Sequence, residues 1–334
     1  MQGCSLLLAL AFVVSLEGCG AARAASTTGT SNTPRGEARG GAASGPSNHL
    51  SDVSEAAAER SEPISEPIAG PVREALDVTP TSPRDQVITG ASRHRLVLFT
   101  FDDGPHGLYT QRILDTLQIA DIRAIFFVVP GRIARGGPRA ESEAALLREI
   151  AARGHLIGSH TQDHQHLTEL DDDAIRYQVV SSEETLASVL GARPTLFRPP
   201  GGARSEASDR ILSERGYSQW LWTLVSGDFL TTSPERVLSI FQRSIRGRDR
   251  RGLPGGIVLL HDTHRWTADA LPEMIAYLWR RNCALLAAGE ELYDLSPDPR
   301  WYLDEASELV EPPAAELEAH QAALRASAAE RCAR

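Results

Sequence analysis

Between Arg95 and Ala287, short apolar runs alternate with longer stretches in which apolar residues recur every three or four positions. The short runs are Leu96–Phe101, Ala124–Val129, His155–Ser159, Thr195–Arg198, Gln219–Val225, Gly256–Leu260 and Ala284–Ala287. Most are rich in β-branched and aromatic residues and flanked by Gly, Pro or Asp, which predicts strands. The longer stretches, Tyr109–Ile119, Glu141–Arg153, Asp173–Leu190, Ser205–Arg215, Pro234–Ile245 and Ala268–Arg281, predict helices. The third shows the logic: acidic residues cap its start, Ile175, Val179, Leu186 and Leu190 share a face, and Gly191 stops it. Strand and helix in strict alternation imply parallel pairing through right-handed crossovers. The expected fold is α/β, a distorted (β/α)7 barrel, with a doubly wound open sheet as the alternative.

The pattern fails on both sides of this region. Ser5–Leu16 is an apolar run too short to cross a bilayer, so residues 1–20 read as a signal peptide. Leu16-Glu17-Gly18-Cys19 is similar to a bacterial lipoprotein box, which predicts membrane attachment through a lipid on Cys19; cleavage after Ala22-Arg23-Ala24 is the alternative and would release the protein. Residues 21–85 are rich in Ala, Ser, Thr, Gly, Pro and Glu without periodicity, the composition of a disordered linker. The expected organisation is therefore signal peptide 1–20, linker 21–85, one domain over 86–293 and a tail over 294–334 with a helical stretch. The protein is expected in the cell envelope.

Composition removes several classes of function. The chain has 334 residues, 42% of them hydrophobic, which is ample for a core. Its net charge of -10 and the lack of basic-aromatic interleaving argue against nucleic acid as a partner. All the basic side chains apart from histidine are arginine, because the sequence contains no lysine; Schiff-base chemistry and the Walker-A phosphate loop are excluded. Cys4 and Cys19 fall in the leader, and Cys283 is expected to be a buried small hydrophobe, with a bridge to Cys332 as the lesser reading.

In a parallel barrel, functional groups collect at the C-terminal ends of the strands. The first strand ends at Asp102 and Asp103, the third runs into His160 and His164, the fourth ends in Arg198-Pro199-Pro200-Gly201-Gly202, the fifth in Ser226-Gly227-Asp228-Phe229, and the sixth in His261-Asp262. A solvated acidic turn would explain the aspartates alone. His160 and His164, spaced i and i+4, can instead reach one metal ion, with Asp103 as an oxygen ligand and one coordination position left open for chemistry. His155 begins its strand and belongs at the opposite end, while His106, His166 and His264 lie near the active rim and are candidates for substrate contact.

These segments, TFDDGP, HTQDH, RPPGG, SGDF and LLHD, resemble in order the five motifs of the NodB-homology polysaccharide deacetylases, carbohydrate esterase family four. The resemblance spans about Arg95 to Leu292. It implies a metal-dependent hydrolase, usually with Zn2+, that removes acetyl groups from an N-acetylated polysaccharide. By position, Asp103, His160 and His164 would hold the metal and Asp102 would be the base that deprotonates the bound water. His261 would be the acid that protonates the leaving amine. Arg198 would aim Asp102, Asp228 would support His261, the Gly201 N–H would meet the oxyanion, and Leu259 would line the acetyl pocket. Two positions depart from the pattern: Phe229 stands where Trp is frequent, and Val225 where an Asp is common. Peptidoglycan or poly-N-acetylglucosamine is the expected substrate; an O-acetyl esterase, a hydrolase of another bond or an inactive sugar-binding barrel are the alternatives.

Overall fold

The computed structural model describes residues 87–303 and 309–333. The expected signal peptide, Cys19 and the linker lie outside the described residues.

Eight strands form one sheet in the order β1-β6-β5-β4-β3-β2-β8-β7. They are β1 Val87–Ile88, β2 Val97–Asp102, β3 Ile125–Val128, β4 Leu156–Ser159, β5 Leu196–Phe197, β6 Ser218–Trp220, β7 Leu224–Val225 and β8 Gly256–His261. Every pairing is parallel. All six residues of β2 are buried, as expected of a parallel strand covered on both faces. Its side chains alternate: Val97, Phe99 and Phe101 join the core beneath the helices, while Leu98 joins an inner cluster with Ile125, Phe127, Ile257 and Trp220.

The helices are α1 Gly107–Ala120, α2 Gly131–Ala134, α3 Pro138–Ala152, α4 Asp172–Leu190, α5 Glu206–Glu214, α6 Pro234–Asp249, α7 Arg265–Ala288 and α8 Ala314–Cys332. Their ends follow local chemistry. The Asp171 carboxylate accepts from the Ala174 N–H at 2.9 Å, and Gly191 closes α4 at φ 75°. Ser205 and Ser208 form a reciprocal capping box on α5, and Ser233 caps α6. Ile175, Val179, Leu186 and Leu190 are all buried on α4.

The fold is thus the expected distorted α/β barrel of parallel strands, curled as a half-barrel of eight strands rather than seven, with further differences in detail. The Gln219–Val225 run is two strands. β6 pairs with β5 and β1 near one edge of the sheet, β7 pairs with β8 at the other, and residues 221–223 cross between them. The Leu221 N–H donates to Ile88 and the Thr223 N–H to Ile257, so this short crossing spans the mouth of the curled sheet.

Two expectations are corrected. Ala284–Ala287 is not a strand but the last turn of α7, because alanine and leucine propagate a helix until Gly289 ends it in the left-handed region. The return to the sheet comes later, where Asp294 bridges Leu96 in parallel. Cys283 is not a free buried hydrophobe: it is bonded to Cys332, with Cα atoms 5.6 Å apart, tying the end of α8 to α7. Beyond α7, Trp301, Tyr302 and Leu303 of a 3-10 turn fill the inner face against Trp220.

Candidate active site

The site forms because register puts its halves side by side. In the β2–β8 pair, Asp102 stands opposite His261, and both strands end there. Ser159 stands opposite Phe197, so the residues that follow, His160 and Arg198, leave their strands together.

Asp102 is 2% exposed and points to the inner face with Leu98 and Thr100. Arg198, fully buried, donates from Nη1 to Asp102 Oδ1 at 2.7 Å and to Thr100 Oγ1 at 2.8 Å. Its Nε and Nη2 donate to the Trp220 and Leu221 carbonyls, and its guanidinium lies 4.1 Å from the centre of the Phe127 ring. A buried charge so completely bonded holds its partner in one orientation.

Asp103, one residue on, turns away from the strand at φ 76°. Among the described residues, non-glycine positive φ occurs at Asp103, Asp121, Thr161 and His164, and all but Asp121 belong to this site. Backbone strain gathers where side chains must be aimed. The neighbouring Gly104 has no alternative: a Cβ there would fall 2.0 Å from the Asp262 carboxylate.

Asp103 Oδ1 lies 3.1 Å from His164 Nε2 and 3.5 Å from His160 Nε2. Ligand atoms on a tetrahedral ion with bonds near 2.1 Å are about 3.4 Å apart, so these separations fit a zinc-like cation. Two further observations agree. Asp103 Oδ1 is buried without an aligned hydrogen-bond donor. His160 Nδ1 is 2.6 Å from the Arg198 carbonyl, to which it can only donate, so the Nε2 lone pair faces the other two groups. Burial depresses the His160 pKa, and a neutral ring is the form that ligates. Burial pushes the Asp103 carboxyl up, but the His164 contact and the other histidine rings around it outweigh that, leaving a pKa of about 2.

On the opposite flank, His261 Nδ1 lies 3.0 Å from Asp228 Oδ1. Asp228 is fully buried; its Oδ2 accepts from the His261 N–H and the Thr267 hydroxyl, both at 2.7 Å, and its carbonyl accepts from Trp266 Nε1. Burial pulls the His261 pKa down, but the Asp228 hydrogen bond and charge raise it to about 9.

Gly201 adopts φ 64°, and a Cβ there would stand 2.7 Å from His166 Cε1, so only glycine fits beside that ring. Leu259 is 5% exposed, whereas Phe229 is half exposed with its ring 6.0 Å from that of His261. His264 is 5.3 Å from His261, ring to ring, and His106 stacks on Tyr109. His155 is buried away from the site, where it accepts from the Ala124 N–H.

Some site residues escape a reading of the sequence. Thr100, Thr267 and Trp266 orient Arg198 and Asp228, yet nothing in their local sequence marks them. Asp262 had a signal, since it follows His261 directly. It is buried, accepts from Thr110 at 2.5 Å, and burial pushes its pKa up to about 7.

Comparison with known proteins gives the same reading. Residues 89–220 match the family model described as polysaccharide deacetylase. A peptidoglycan-N-acetylglucosamine deacetylase of Bacillus cereus is 30% identical over 186 residues, covering 54% of this chain and 62% of that protein. A crystal structure of a peptidoglycan N-acetylglucosamine deacetylase with a bound N-oxidanyl-benzamide is similar at a TM-score of 0.50 and 29% identity, over 58% of this chain and 86% of the other. The chitin deacetylase of Colletotrichum lindemuthianum is similar at a TM-score of 0.51 and 27% identity, over 59% of this chain and 86% of the other. The chain spans about three fifths of the length of the B. cereus relative. Residues 89–220, from just past β1 through β6, thus match the polysaccharide deacetylase domain of the NodB-homology type.

Proposed function

We propose that this protein hydrolyses the N-acetyl groups of an envelope polysaccharide, with peptidoglycan as the first candidate and poly-N-acetylglucosamine as the second. The observation that carries the reading is the flanking of Asp103, His160 and His164 by two differently prepared groups. Asp102 stands on one side, locked by Arg198, and His261 on the other, held protonated by Asp228. Two titratable groups set apart in this way serve as base and acid.

Asp103, His160 and His164 would hold a divalent cation, and the hard-oxygen and imidazole donor set suits Zn2+. When bound, such a cation supplies Lewis acidity, polarising the acetyl carbonyl and making water a stronger acid. The chain's own residues do the rest. Asp102 takes the proton of the attacking water. The Gly201 N–H donates to the oxygen that gains negative charge at the carbonyl; Pro199 and Pro200, which precede it, have no N–H to offer. Leu259 receives the acetyl methyl, and Phe229 forms an apolar wall beside His261. His261 gives its proton to the sugar nitrogen as the carbon–nitrogen bond breaks, so acetate and a free amine leave.

The apolar Ser5–Leu16 run supports export, and the similarity of Leu16–Cys19 to a lipoprotein box supports attachment through a lipid on Cys19. No helix among the described residues is long and apolar enough to cross a membrane. Acetate release from N-acetylglucosamine oligomers and from peptidoglycan tests the activity. Loss of fatty-acid labelling in Cys19→Ser, together with its appearance in the soluble fraction, tests the anchor; unchanged labelling would remove it.

A further inference from the structure

The rim holds a second group of side chains with the same donor set as the first. Asp228, His261 and His264, one carboxylate and two imidazoles, each place a ligand atom within 4.8 Å of the others, as Asp103, His160 and His164 do. Asp228 Oδ1 and His261 Nδ1 stand 3.0 Å apart, against 3.1 Å for Asp103 Oδ1 and His164 Nε2. A single cation can therefore span that pair in place of the proton that joins them.

His264 is the member of this group with no other task. It stands at the N-cap of α7, yet its side chain caps nothing, and its Nδ1 is buried without a hydrogen-bond partner. A buried polar atom left in that state calls for a reason. The His264 ring stacks on Trp266 with 4.6 Å between ring centres, and Trp266 Nε1 donates to the Asp228 carbonyl at 2.6 Å, so one indole holds both residues in place. Asp228 Oδ2 takes the His261 N–H and the Thr267 hydroxyl, which leaves Oδ1 for the His261 ring.

We propose that Asp228, His261 and His264 form a second, inhibitory site for a divalent transition-metal cation such as Zn2+, separate from the one that Asp103, His160 and His164 would hold. The inhibitory consequence rests on the reading of His261 as the acid. The entering cation takes the His261 Nδ1 lone pair, and the Nδ1 proton leaves to solvent. The ring is then neutral and keeps only its Nε2–H, whose loss would leave an imidazolate, so it no longer protonates the sugar nitrogen. Because binding displaces a charge-assisted hydrogen bond, this site is the weaker of the two. It empties on gel filtration and fills only when Zn2+ exceeds one equivalent.

The test measures Zn2+ binding by equilibrium dialysis and acetate release on the full chain across one range of free Zn2+. The wild type should bind one equivalent tightly and a second more weakly, with turnover falling about tenfold or more as the second fills, because a positioned acid is worth at least that. His264→Phe keeps an aromatic ring against Trp266 and His264→Gln keeps a polar side chain, but neither offers an imidazole lone pair. In both, the second equivalent should need about tenfold more Zn2+, the usual cost of disturbing a metal site. Inhibition in each variant is referred to its own turnover at one equivalent, so a change in catalysis itself does not enter. A single class of site in the wild type, a second equivalent that both variants bind unchanged, or one that leaves turnover unaltered overturns the inference. A second, His264-dependent equivalent with no acetate released at any Zn2+ concentration would sustain the cation site and sink the deacetylase reading.

Discussion

Asp102 and Asp103 are chemically identical neighbours that the backbone sends to different tasks. Asp102 completes a strand and is locked to Arg198 on the inner face; Asp103, at φ 76°, turns toward His160 and His164. Replacement of Asp103 or His160 by Ala should therefore remove bound metal and reduce turnover by more than about 100-fold, since even supporting residues around a metal cost that much. Elemental analysis showing one metal per chain in either variant would take that residue out of the ligand set. His261→Ala should keep its metal and lose about 100-fold or more in kcat, the usual worth of a positioned acid. The pH profile offers a finer check. With its pKa raised to about 9 by Asp228, His261 is protonated at neutral pH, and activity falls as pH rises through that value. A bound cation lowers it, so the alkaline limb of the loaded enzyme should sit below 9. Asp228→Asn removes the charge that raises it and should move the limb at least one further unit toward acid, with lower kcat; an unmoved limb would contradict the pairing.

At the scale of elements, register does the assembly. Each of Asp102, His160, Arg198 and His261 stands at or just past a strand end, and parallel pairing puts those ends on one rim. This much was legible in the sequence, because fully buried strands are dense in Phe, Val, Ile and Leu and each is followed at once by its polar motif. What was not legible lacks local signal. A strand as short as β1 has no periodicity to read. Ala284–Ala287 is apolar in either state, and helix propensity decided it. The Cys283–Cys332 bond depends on α8 lying against α7, which no local pattern announces. That bond closes a loop with a sequence separation of 49, for which chain entropy gives a stabilisation of about 2–4 kcal/mol. Cys283→Ser with Cys332→Ser should lower the melting temperature by roughly 5–10 °C while leaving metal content unchanged; an unaltered melting temperature would make the bond incidental.

Across the whole molecule, the two ends of the barrel have separate duties. The rim at the strand C-termini carries the proposed acid, base and metal ligands, while the opposite end holds a buried histidine kept neutral. Burial, with the Arg153 and Arg123 charges nearby, lowers the His155 pKa from an ordinary 6.5 to about 4. Its contribution is complete above about pH 6.5, and stability is lost as pH falls toward 4, because only the unfolded chain takes up the proton in that window. The loss amounts to at most about 3 kcal/mol, and His155→Gln should flatten the stability profile across that range in denaturant melts. The inner plug of Trp301, Tyr302 and Leu303 comes from beyond the last helix of the repeat, so the segment after α7 completes the domain's core. If this rim is a metal-dependent deacetylase centre, acetate release from peptidoglycan by the full chain should vanish on chelation and return when Zn2+ is restored. Release that persists undiminished through thorough chelation would rule that out.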